Sequence, residues 1–140
     1  MAEEHPARLA SQRSMAAVRK KAKDEWLALF ADDAVVEDPV GKSPLDPEGK
    51  GQVGKAAIGK FWDTNIGPNE VDFDIRHSFA AGNEVANVGV VITTMPGGMK
   101  AVAEGVFLYR VNDEGKLLSL RAFWEFDQMM RSLAAGSSRE

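Results

Sequence analysis

The spacing of apolar positions changes once along this chain, from helical to alternating. Between Pro6 and Phe30, Leu9, Met15, Ala16 and Val18 form a weak apolar stripe, and Trp26, Leu27, Leu29 and Phe30 form a strong one, so helix is predicted there. A short β-prone run, Ala34 to Glu37, stops at Asp38-Pro39, where proline discourages continuation. Gly41 to Gly54 is rich in glycine, proline and charge and reads as a surface loop. Helical spacing resumes from Gly54 to Ile66 through Ile58, Phe61 and Trp62.

Beyond that point the period becomes two. Val71, Phe73, Ile75, His77 and Phe79 alternate with Asp72, Asp74, Arg76 and Ser78, which places His77 on the apolar face of a strand. Strands are expected over Val85–Met95, Ala101–Val111 and Leu117–Phe126, separated by turns at Gly82-Asn83, Pro96-Gly97-Gly98 and Asn112-Asp113-Glu114-Gly115. Helices first and an antiparallel meander after them argue for an α+β class, with a curved sheet wrapped around the N-terminal helices. By the same alternation Glu104 belongs on the outer face, near Arg121. The 140 residues suit one domain, 1–140, with 1–5 and 132–140 expected to fray.

Composition narrows the chemistry. A net charge of −4 gives no footprint for nucleic acid or for an anionic membrane. Cysteine is absent, which removes disulfides, thiolate nucleophiles and thiolate metal sites together. No apolar run approaches the ~18–20 residues that cross a bilayer, and the charged start, Met1 to Arg8, lacks a signal-peptide core, so a cytoplasmic location is expected. The two histidines, His5 and His77, are far apart and have no spaced carboxylates around them, so no metal site is expected. Gly49-Lys50-Gly51-Gln52-Val53-Gly54 matches the dinucleotide fingerprint by letter, but Ser43-Pro44-Leu45-Asp46-Pro47-Glu48 before it cannot be the buried strand that motif requires. No nucleophile elbow occurs for a serine hydrolase.

The segment Leu29-Phe30-Ala31-Asp32-Asp33-Ala34-Val35-Val36-Glu37-Asp38-Pro39-Val40-Gly41 is similar to the one that carries the general base in ketosteroid isomerases. Lys55–Trp62 and Gly115–Ala122 continue the resemblance in the same order, so it covers about Trp26 to Trp124. That family lies within the superfamily that resembles nuclear transport factor 2 and SnoaL. The resemblance implies a cone-shaped fold, a hydrophobic pocket, a steroid-like small-molecule ligand, no cofactor and a homodimer built across the outer sheet face, where Val102, Val106 and Leu108 alternate. It places the proton-transferring base on Asp38. The tyrosine and the protonated aspartic acid that bind the dienolate oxygen in that family, the handling of pKa being its known signature, fall here on Ser14 and Phe107.

Two of three catalytic roles are therefore vacant in their usual places. Candidate replacement donors are Ser14, Trp62, Trp124, Asn87 and Tyr109, and the implied pocket wall is Val40, Phe61, Phe107, Leu120 and Trp124. Three functions stay open: a steroid delta-isomerase-like enzyme using Asp38, a dehydratase or epoxide hydrolase pairing Asp38 with His77 or Asp63, and a non-catalytic carrier of a hydrophobic ligand. None of them requires a metal or redox cofactor.

Overall fold

The computed structural model describes residues 4–138, with side chains to 133. Helix α1, Pro6–Arg19, starts where the His5 ring accepts from the Ala7 N–H, and it buries Ala7, Ala10, Ser11, Ser14, Ala17 and Val18 along one face. The helical stretch does not run on to Phe30. Lys21 takes a left-handed φ of 61° and breaks it, and a short helix α2, Lys23–Leu27, follows. Strand β1, Phe30–Glu37, begins four residues before the β-prone run that ends it.

The loop after β1 is organised by one carboxylate. Asp46 accepts from the amides of Gly49 (3.2 Å) and Gly51 (2.8 Å), both at positive φ, and the chain then adds the two-residue strand β2, Gln52–Val53. Helix α3, Lys55–Phe61, passes into a π-helical turn, Trp62–Ile66, closed by the Gly67 N–H on the Trp62 carbonyl at 2.7 Å. Strands β3 (Glu70–Ala81), β4 (Glu84–Thr94), β5 (Lys100–Val111) and β6 (Leu117–Trp124) form the expected meander.

The six strands are ordered β2-β1-β6-β5-β4-β3. The sheet is mixed and not wholly antiparallel, because β1 pairs with β6 in parallel, Val36 opposite Leu120. Its concave face closes on α1, α2 and α3 around Trp26, Phe30, Ile58, Trp62 and Leu117, all buried. Where fraying was expected from Ser132, helix α4, Phe126–Ser138, instead packs against β5, and Ser132 Oγ accepts from the Val102 N–H at 3.0 Å. At the other end, His5 Nε2 donates to the Gly82 carbonyl at 2.8 Å, so that residue is held as well. The calls for 1–3 and 139–140 lie outside the described residues.

One local irregularity decides which side chains reach the interior. Ile75 pairs with Gly89 but His77 pairs with Val88, so Arg76 is an extra residue in β3. Gly89 accommodates this bulge: a Cβ there would lie 2.2 Å from the Asp74 carbonyl oxygen. The extra residue inverts the alternation. Ser78 and Ala80 turn inward, and His77 and Phe79 stack on each other on the exposed face.

Candidate active site

The concave face does not close completely over the helices, and a largely apolar cavity of about 250 Å³ remains. Ser14, Asp38, Phe61, Phe107, Leu120 and Trp124, all expected at the site, line this one cavity. Asp38 follows directly after β1, where the Val40 N–H bonds the Ala122 carbonyl at 2.9 Å and ties the segment to β6. Trp124, at the end of β6, donates its indole N–H to Asp38 Oδ1 at 2.6 Å. Removal from water pushes the Asp38 carboxyl above its ordinary range, and the Trp124 N–H, which favours the anion, offsets part of that shift. The result is a carboxylate fixed in orientation and more basic than one in water.

Tyr109 brings a phenol to the cavity that Ser14 and Phe107 also line. It lies on β5 two residues from Phe107, with the same parity, and is buried in the cavity wall. Trp26 Nε1 donates to Ser14 Oγ at 2.9 Å. An indole N–H can only donate, so the Ser14 hydroxyl proton is free to serve the neighbouring Tyr109 oxygen. Burial and, after it, the nearby Asp38 charge push Tyr109 well above an ordinary phenol, and the Ser14 hydroxyl offsets part of that shift. Its O–H is a neutral donor at every working pH.

Other expected residues stand elsewhere. Trp62 is buried against Trp26 (centroids 5.2 Å apart) and is not part of the cavity lining. Val40 does not line the cavity either. Trp124 faces the cavity, but its N–H is committed to Asp38, so it orients that carboxylate. His77 is outside because of the bulge, and Asp63 is exposed and paired with Lys23 at 2.8 Å. Neither shares a cavity with Asp38, so the acid–base couples proposed for dehydration or epoxide opening are not assembled. Asn87 is spent on structure, accepting from Ser78 (2.7 Å) and donating to Ser11 (3.1 Å). Glu104 is on the outer face as expected, but it meets Arg76, while Arg121 pairs with Glu37 at 2.8 Å.

Sequence reasoning did not place Asn65, Asn69 and Thr93 at the opposite end of the cavity, or Met129 and Leu133 of α4 in its wall. The i, i+4 spacing of Asn65 and Asn69 was the available signal. Among the described residues, no group of three or more histidine and carboxylate side chains could hold a metal ion, and no helix is long and apolar enough to cross a membrane.

A small mixed sheet curved around helices, with a half-buried carboxylate in an apolar cavity, defines a class, and comparison with known families agrees. The model of the SnoaL-like domain matches residues 11–120, and the chain belongs to that family. A steroid Delta-isomerase from Nocardioides simplex is 31% identical over 97 residues, 69% of this chain and 72% of that protein. The crystal structure of a Delta 5-3-ketosteroid isomerase from Mycobacterium sp. superposes with a TM-score of 0.85 at 44% identity, covering 89% of this chain and 96% of the other. A Mycobacterium tuberculosis protein in complex with estradiol-17beta-hemisuccinate superposes with a TM-score of 0.84 at 40% identity, covering 89% and 97%. These relatives support an isomerase reading.

Proposed function

We propose that this protein isomerises a steroid or a similar polycyclic ketone, with Asp38 moving the proton and Tyr109 binding the oxygen. One observation carries the reading: a carboxylate of raised basicity, held by Trp124 at 2.6 Å, faces an apolar cavity that also holds the Tyr109 hydroxyl. Asp38 removes a proton from the carbon next to the ketone, and the electron pair moves onto the carbonyl oxygen as a dienolate. The Tyr109 O–H, backed by Ser14 and Trp26, donates to that oxygen. Asp38 then returns the proton to the far end of the dienolate, so the conjugated ketone forms with no net gain or loss of atoms. Ser14 fits this division of labour, because a short side chain on α1 leaves room for the Tyr109 ring coming from β5.

Phe107 offers no donor, so the dienolate receives one hydrogen bond where the family pattern supplies two. Loss of one such donor typically costs about 10²–10³ in rate. A slow isomerase is the expectation. The test is conversion of a Δ5-3-ketosteroid to its conjugated isomer, followed by ultraviolet absorbance at high protein concentration, with Asp38→Asn as the control. Conversion that vanishes in the variant supports the reading. Tight steroid binding, followed by Trp quenching, with no conversion above buffer would replace it with a carrier function, which the missing second donor favours. The proposal includes a homodimer across the outer face, where Phe79 and Phe123 are 65% and 41% exposed, and a light-scattering mass of two chains is expected.

A further inference from the structure

The cavity has a second polar end whose hydrogen-bonding sense is opposite to that of the first. Asn65 Nδ2 donates to the Phe61 carbonyl at 3.3 Å, and Asn69 Nδ2 donates to the Asn65 carbonyl at 2.8 Å. A backbone carbonyl only accepts, so the atom facing it must be the amide nitrogen, and this fixes the orientation of both side chains. Each Oδ1 therefore points away from its own backbone, and neither accepts a hydrogen bond from a described residue. Both residues are half-buried and line the cavity, as does Thr93, whose partner Val71 lies two residues after Asn69. The π-helical turn carries Asn65, and its wider backbone presents this residue to the cavity four positions before Asn69.

Register places the two ends well apart. Trp124 pairs with Gly105 and Ala122 with Phe107, whereas Thr93 pairs with Ala101. Along β5 the catalytic end and the asparagine end are thus separated by four to six residues, about 13–20 Å at ~3.3 Å per residue before curvature. Between them the lining is apolar, with Phe73, Val91 and Ala103. One end donates to a ligand oxygen through Tyr109. The other offers two amide oxygens that can only accept.

Resting on the steroid reading above, we infer that the pocket selects polycyclic ketones bearing a hydroxyl at the end remote from the reacting carbonyl, through Oδ1 of Asn65 and Asn69. A hydroxyl there donates to an amide oxygen. A ketone at the same position meets both Oδ1 atoms acceptor against acceptor and has only the remaining Nδ2 protons and Thr93 to accept from. Thr93 can donate or accept and so does not discriminate.

The test uses two Δ5-3-ketosteroids that differ only at the D-ring end, one a hydroxyl and the other a ketone. A net hydrogen bond of about 0.5–1.5 kcal/mol corresponds to roughly 2–13-fold, so the hydroxyl form should bind about 3–10-fold more tightly to the unmodified protein. Asn65→Leu with Asn69→Leu should bring the two affinities within about 2-fold. If that double variant does not fold, each single variant is measured, and a reduced preference is expected in both. Equal affinities in the unmodified protein, or tighter binding of the ketone, overturn this inference and leave the isomerase reading intact. Binding of neither steroid overturns the isomerase reading and this inference with it.

Discussion

Replacing Trp124 by Phe keeps an aromatic wall in the pocket but removes the N–H that, among the described residues, reaches Asp38 Oδ1. At 2.6 Å with a charged acceptor, this hydrogen bond belongs to the strong class, worth about 1.5–3 kcal/mol. Since 1.4 kcal/mol is a factor of ten, the variant carboxylate should hold its proton roughly one to two orders of magnitude more tightly. Desolvation already raises the Asp38 carboxyl and the indole opposes it, so removing the indole shifts the group further up. The acid limb of kcat/KM, which reports the ionisation of the free enzyme, therefore moves to higher pH in Trp124→Phe. Above that limb the base is fully ionised and intrinsically stronger, so the plateau should not fall. The assay is steroid isomerisation across acid to mildly alkaline pH, with thermal melting as the fold control. An unmoved acid limb, or a uniform loss of rate at every pH, would refute the idea that the indole sets the basicity of Asp38.

Three further outcomes follow from the same geometry. Asp38→Asn should be more stable than the parent near neutral pH. Because the native carboxyl is raised, the native state binds more protons than the unfolded chain just above the ordinary carboxylate range, so parent stability falls as pH rises there. The advantage of the variant should then close in acid, and denaturant titrations that give the same difference at acid and neutral pH would rule this out. Tyr109→Phe should lower kcat by about 10²–10³ with a smaller effect on ligand binding, read from initial rates and Trp quenching. His5→Ala removes the ring that caps α1 and grips the β3–β4 turn at Gly82, and it should cost about 0.5–2 kcal/mol in chemical denaturation without changing steroid affinity.

Most of the architecture was legible because it rests on local patterns. Alternation between Val71 and Phe79, together with glycine-rich turns, is enough to announce a meander. What escaped depends on partners distant in sequence. Phe30 opens β1 because Leu117 of β6 lies beside it in parallel, and α4 is held by β5. Asp38 was found through a local segment, whereas Tyr109 needed the β5 register, which sets it inward beside Ser14. His77 was misplaced for a similar reason: alternation was counted through Arg76, and only the pairing with β4 reveals that residue as supernumerary.

That supernumerary residue also bears on how such a sheet is rewritten over generations. A point substitution at Ser78 or Ala80 alters what faces the interior, but every point substitution at His77 or Phe79 is spent on the outer surface. Deleting Arg76 would remove the bulge and keep these roles, with His77 still opposite Val88 on the outer surface and the Ser78–Asn87–Ser11 chain of hydrogen bonds intact. A one-residue deletion at this point of β3 is therefore absorbed by the ladder, and an alignment gap there leaves the inward side chains, which meet α1 through Arg8 and Ser78, as they were.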